Sequence, residues 1–333
     1  MNYKLIKKIE NVIYFKKIDK YLFIIKKGDD TFHVYNFKGF DLINKLGYRK
    51  GSGIYNFDNH IFDDTFYGVN LNLEEEKIFG KQKYYYSIHN ESYLVIREFV
   101  EEFKVEKYLV NKSSLKIIGK LIIKEVILFL DNEVMICQSL DSILCYQFLP
   151  NQYLIWQVDI SEYGMREGWN GMEKGKVNNV YLDETTIYVL TDSSIVALSI
   201  ADGTVVWHTQ LETSQRFGIL EQGYLYTTSN AYINKVDTKT GAILYQIESK
   251  PICVKGEEQE MPLSEFVWHN NFIWCIMDTS PNALLKINPG DGSYNEIIPL
   301  DRFGITRDCH APKFYGDNIF LLDLDNTLHI IQK

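Results

Sequence analysis

The sequence predicts an all-β chain, residues 1–333, folded as one β-propeller of four-stranded antiparallel blades. Three observations lead there. The composition leans toward strands, with 14% aromatic residues, 23 Tyr and 19 Phe among them, and flat rings pack well on pleated surfaces. Alternating segments closed by Asp-Gly or Thr-Gly turns recur, with about 40 residues from Gly203 to Gly241, the period of propeller blades. The chain also ends on three strands and begins with a spare one, the arithmetic of a closed ring.

The repeat is clearest in three segments, 194–207, 232–245 and 284–294. Each holds an alternating strand, a turn ending at Gly203, Gly241 or Gly292, and a second strand with an early aromatic: Trp207, Tyr245 or Tyr294. Glycine there supplies the positive φ that such turns need. A second hairpin precedes each segment, at 179–190, 217–227 and 266–277. Two hairpins make four antiparallel strands, one blade. Weaker copies run over 126–156, with Trp156 in the aromatic position, 84–118 and 12–43.

The C-terminal stretch 313–333 holds three strands and lacks a fourth, while residues 3–9 form a spare strand. Pairing the two ends in one blade removes a sheet edge. The count is then seven blades, with residues 48–80 left as a long insertion. The alternative is eight blades, with 48–80 as a degenerate one.

These repeats resemble the blades of pyrroloquinoline-quinone-type (PQQ-like) propellers, whose units read approximately Ala-x-Asp-x-x-Thr-Gly-x-x-x-Trp. The first copy keeps Ala197, Gly203 and Trp207, with Ser199 and Asp202 at the Asp and Thr positions. The second keeps Asp237, Thr240 and Gly241, and in the third Asn288 and Asp291 precede Gly292. The resemblance implies a fold more than an activity. Quinoprotein dehydrogenases of this kind use a calcium site and often adjacent cysteines, and this sequence has no Cys-Cys pair. A cofactor-free member is therefore expected. The repeated Gly-His and Trp-Asp signatures of WD-repeat blades are not seen.

Charge narrows the function classes. The net charge is −9 with a sequence pI near 5.4, and acidic and basic residues are interspersed. Holding nucleic acid by its phosphates needs a concentrated Lys/Arg face, which the linear sequence does not supply. No apolar run is long enough to span a membrane as a helix or to form a signal-peptide core, so a cytoplasmic location is expected. Five cysteines, 137, 145, 253, 275 and 309, lack paired spacing and read as reduced thiols.

Catalytic and metal constellations do not stand out. Asp308-Cys309-His310 is a Cys/His/Asp cluster, but zinc needs about four ligands with recognisable spacing. The glycines at 164, 168, 171 and 175 match no phosphate-binding loop. No catalytic residue, metal site or cofactor is assigned.

Binding is the remaining reading. In a propeller, the connections between successive blades share one face, and four are long here: 46–82, 160–178, 249–264 and 299–313. Long loops in a compact fold are functional or disordered, and Arg and aromatic residues favour binding hot spots. Tyr163, Arg166, Trp169, Arg302, Phe303, Arg307 and His310 are the candidate binding residues. Against this, Trp169 and Phe303 could simply plug the face. The expected function is a non-enzymatic scaffold presenting this face to a protein partner. The alternative is a hydrolase or lyase acting on a sugar or small molecule in the central funnel.

Overall fold

A computed structural model describes residues 3–29, 31–46, 54–57, 60–62, 67–70, 75–77, 84–101, 104–131, 133–168, 171–211, 217–228, 232–248, 252–254, 257–259, 264–277 and 282–333. Among these residues the chain forms eight four-stranded antiparallel sheets and two small hairpins. Seven of the sheets are the blades expected from the repeats. The eighth lies within residues 48–80, as the degenerate-blade alternative had it.

In chain order, blade one holds Val12–Ile18, Tyr21–Lys26, Phe32–Asn36 and Leu42–Leu46. Blade two holds the short strands Tyr55–Phe57, His60–Phe62, Tyr67–Asn70 and Glu75–Lys77. Blade three holds Tyr84–His89, Tyr93–Glu101, Lys104–Asn111 and Lys116–Leu121, and blade four Val126–Leu130, Val134–Gln138, Ser142–Gln147 and Tyr153–Asp159. Blade five holds Asn179–Leu182, Thr186–Leu190, Ser194–Ser199 and Val205–Gln210. Blade six holds Phe217–Glu221, Tyr224–Thr228, Tyr232–Asp237 and Ile243–Glu248, and blade seven Val267–His269, Phe272–Met277, Ala283–Ile287 and Tyr294–Pro299. Blade eight joins Lys313–Tyr315, Asn318–Leu322 and Leu328–Gln332 to Lys4–Ile9.

The ring closes as the strand arithmetic requires. Lys4 pairs with Gln332 and Ile9 with Leu328, so the first strand is the outermost strand of the last blade. Blade two occupies a ring position despite its short strands. Ile54 is buried among Phe23, Ile25, Phe32 and Val34 of blade one, and Phe62 among Leu94, Ile96 and Val110 of blade three. Burial follows strand order within a blade: in blade five Ser194–Ser199 is nearly all buried while the last strand, Val205–Gln210, is largely exposed. The middle strands therefore read as continuous apolar runs, and the fourth alternates.

The repeat residues turn out to join blades. In seven of the eight sheets the register shifts by a bulge near the start of the fourth strand. The residue just after the bulge is Trp156, Trp207 or Tyr245 in blades four to six. Each of these rings lies on the glycine turn of the following blade. A Cβ on Gly203 would come within 2.7 Å of Trp156, one on Gly241 within 2.6 Å of Trp207, and one on Gly292 within 3.2 Å of Tyr245. The indole N–H of Trp156 donates to Ile200 O (3.1 Å) and that of Trp207 to Thr238 O (2.8 Å). The glycines have φ of +70 to +73°, so they serve the turn and the docking ring together. In blade seven the matching position is Glu296, not Tyr294.

Candidate functional site

An up-and-down blade sends its inter-blade connections and its second-to-third-strand turns to one face, which we call the upper face. Hydrogen bonds confirm the grouping: Val177 N–H donates to Leu140 O, Ile160 N–H to Asp141 O, Leu211 N–H to Ser193 O, and Leu324 N–H to Asp308 O. The remaining turns make the lower face, tied by Phe37 N–H to Lys20 O, Ile200 N–H to Thr185 O and Lys333 N–H to Asp317 O.

The expected binding residues fall at two places on the upper face. Near blade five, Tyr163 is half-buried, packs edge-on to His208 at 5.1 Å and accepts the Ser194 hydroxyl on its backbone oxygen at 2.6 Å. Arg166 opens the hairpin of Arg166–Gly168 with Gly171–Glu173. It is exposed and lies 3.3 Å from Glu173 and 3.9 Å from Asp192. Trp169 lies outside the described residues.

Near blade eight, Leu300–Phe303 forms a single 3-10 turn. Phe303 is buried with Leu300, Ile305, Cys309 and Trp274, the placement that the plugging alternative expects of its ring. Arg302 stays exposed with its guanidinium 5.0 Å from the Phe303 ring. Arg307 is exposed and pairs with Asp325 at 3.3 Å. His310 is exposed, its backbone N–H bound to Leu322 O. Cys309 is buried and its thiol faces Arg307 O at 3.6 Å. Among the described residues, no group of three or more His, Cys, Asp and Glu is placed to hold a metal ion.

The upper face carries a feature that the long loops do not supply. At blades three and four, Phe99 and Val105 face each other across a hairpin, 54% and 39% exposed. The short connection behind it leaves Ile122 at 84% and Val126 at 64%, and the next turn leaves Leu140 at 68%. Val126 and Leu140 share a shallow cleft with Lys124, Glu125, Gln138 and Ser139. The connection is held in place by the Lys107 ammonium, which donates to Ile123 O and Glu125 O. Burial lowers the pKa of that ammonium, with Cys137 and Glu125 opposing. Sequence reading missed this patch because its residues come from a hairpin tip, a short connection and a turn.

A second concavity opens on the lower face, between blades seven and eight. Its volume is about 140 Å³, and Phe272, Trp274, Phe314 and Ile319 line it with Lys286, Lys333, His269 and Asp317. His269 stacks on Phe314 at 4.2 Å, and Trp274 Nε1 donates to His269 O. Burial, followed by the Lys333 charge, pulls the His269 pKa down against Asp317.

No protein-family model matches the chain, and neither does any curated protein sequence. Solved structures do match its shape. The computationally designed Ika8 protein superimposes with a TM-score of 0.66 at 8% identity, over 97% of this chain and 96% of that one. BamB from Moraxella catarrhalis gives 0.64 at 7% identity, and the Cps50 (Swd1) β-propeller domain of Myceliophteria thermophila gives 0.56 at 9% identity, each covering 100% of both chains. At such identities the likeness is one of fold: the chain is similar to known β-propellers over its whole length.

Proposed function

We propose that the protein is a binding scaffold whose upper face receives an apolar segment of a protein partner. The observation that carries this reading is the exposure of Phe99, Val105, Ile122, Val126 and Leu140 at blades three and four, with Val126 and Leu140 sharing one cleft. Exposed apolar patches of this kind mark interaction sites, and turns held rigid by the fold reduce the ordering cost of binding. Arg166 and Arg307, each beside a carboxylate, add charged groups elsewhere on the same face. BamB and the Cps50 domain support a scaffold as fold-level analogy only. The docked aromatic–glycine pairs favour a PQQ-like repeat. The free thiols Cys137, Cys145, Cys275 and Cys309 fit a reducing, cytoplasmic setting.

The test is affinity capture with wild type, a Val126→Asp plus Leu140→Asp double variant, and a lower-face control, Glu184→Lys. The scaffold reading expects a partner held by wild type and the control but lost from the double variant. Retention by the double variant, loss from the control, or no captured partner would each reject the upper face.

A further inference from the structure

We propose that the lower-face concavity between blades seven and eight is a binding site for a small planar carboxylate. Its origin is visible in the ring. Blade eight takes its third and fourth strands from opposite ends of the chain, so no turn joins them. At the three preceding junctions such a turn lies under the neighbouring blade's Trp156, Trp207 or Tyr245. Here the matching position is Glu296, whose carboxylate accepts the Tyr3 hydroxyl at 3.1 Å. The place of a turn and a ring is left as a hollow.

The chemistry of the hollow is specific. Lys286 is 6% exposed, yet it lines the cavity. Its ammonium sits 3.7 Å from the centre of the Phe272 ring and 5.7 Å from that of Trp274. Among the described residues no carboxylate comes within ion-pair distance of it, and no oxygen accepts its hydrogen bonds. Glu296 stands opposite in the strand register but is occupied by Tyr3. Set in a mostly buried side chain against ring faces, with Glu296 an opposite charge across the strand register, the ammonium has no direct acceptor, and an incoming carboxylate would supply one. Lys333 adds a second cation at the rim, and Asp317 is the opposing charge there.

Size and walls fix the rest of the ligand. A water-sized group needs roughly 10–15 Å³ by this measure of volume, so the hollow suits a ligand of about ten non-hydrogen atoms. Trp274, Phe314 and Ile319 offer flat and apolar walls. A carboxylate on an aromatic ring matches both ends. This site and the proposed partner surface are on opposite faces, so either can fail alone.

Benzoate is the probe, read by calorimetric titration and by ligand-observed NMR on the full chain. Benzyl alcohol and inorganic phosphate are the controls for shape without charge and charge without shape. Benzoate should bind more tightly than either control. Lys286→Met keeps the stem and removes the charge, and should weaken benzoate about tenfold or more, the worth of one charged hydrogen bond, without lowering the melting temperature. Lys333→Gln, at the exposed rim, should weaken it by about threefold or less. Should Lys286→Met fail to fold, the rim variant and the two controls still decide. No benzoate binding, equal binding of benzyl alcohol or phosphate, or undiminished binding by folded Lys286→Met would overturn the proposal.

Discussion

The junctions between blades four and seven and the junction between blades eight and one solve one packing problem in opposite ways. In the first region the residue after the bulge is a ring, Trp156, Trp207 or Tyr245, and the left-handed residue of the next turn is glycine. At the closing junction the residue after the bulge is Lys7, which cannot fill an apolar gap. There the left-handed position of the next turn is Phe40, with φ 55° and 4% exposure, packed on Phe37 and Phe320. The turn is the same: Phe40 N–H donates to Asn36 O at 2.7 Å as Gly241 N–H donates to Asp237 O at 2.9 Å. The gap is filled either from the neighbouring blade or from the turn itself. A bulky residue at positive φ costs roughly 1–2 kcal/mol, so its burial must offset that strain.

Substitutions can break this comparison. Trp156→Ala removes a ring that is 9% exposed and bonded to Ile200 O, and should destabilise by about 4 kcal/mol in urea unfolding. Gly241→Ala places a Cβ at positive φ and within 2.6 Å of Trp207, and should cost about 3 kcal/mol. Phe40→Gly loses a buried ring but relieves the left-handed strain, leaving a net loss of about 2 kcal/mol. If Phe40→Gly proves as costly as Trp156→Ala, the strain at Phe40 is not real.

Acid should separate the regions more gently. Asp202, Asp237 and Asp291 cap the glycine turns, and their carboxyls are held below the usual range by Thr204, Thr240 and Ser293 respectively. Groups with lowered pKa values contribute fully above the unfolded value of about 3.9 and lose that contribution as pH falls through the folded value. Blades one and three cap with Asn36 and Asn111, which do not titrate. Amide exchange measured from about pH 5 down to pH 2.5 should therefore loosen at Thr204, Thr240 and Ser293, and change less at Lys38 and Ser114 once the intrinsic rate is subtracted. Equal loosening in both sets would contradict the capping account.

The same contrast explains what was legible in the sequence. Blades five and six could be read because a glycine turn and a docking ring fall at fixed spacing, and blades four and seven each keep one of the two, Trp156 and Gly292. Blades one and three hide their turns behind Phe40 and Leu115, both at positive φ, where a reader expects glycine. Blade two has strands of three and four residues, too short for alternation to register, which is why 48–80 could pass for an insertion. Closure was legible because an odd strand at each end admits few solutions. The candidate sites were not. Ile122 and Leu140 look like ordinary core residues in a strand-rich stretch, and Lys286 looks like any charged residue of an alternating strand. Only the ring brings Lys286 beside Phe314 and Lys333.

Both faces depend on that ring being shut by the strand Lys4–Ile9 against Leu328–Gln332. Hydrogen exchange read by mass spectrometry on these two segments in the intact protein is the direct test. The account predicts that both are slowed together, by about a hundredfold or more over free peptide. Exchange of the first strand at the free-peptide rate, while the last stays protected, would contradict it.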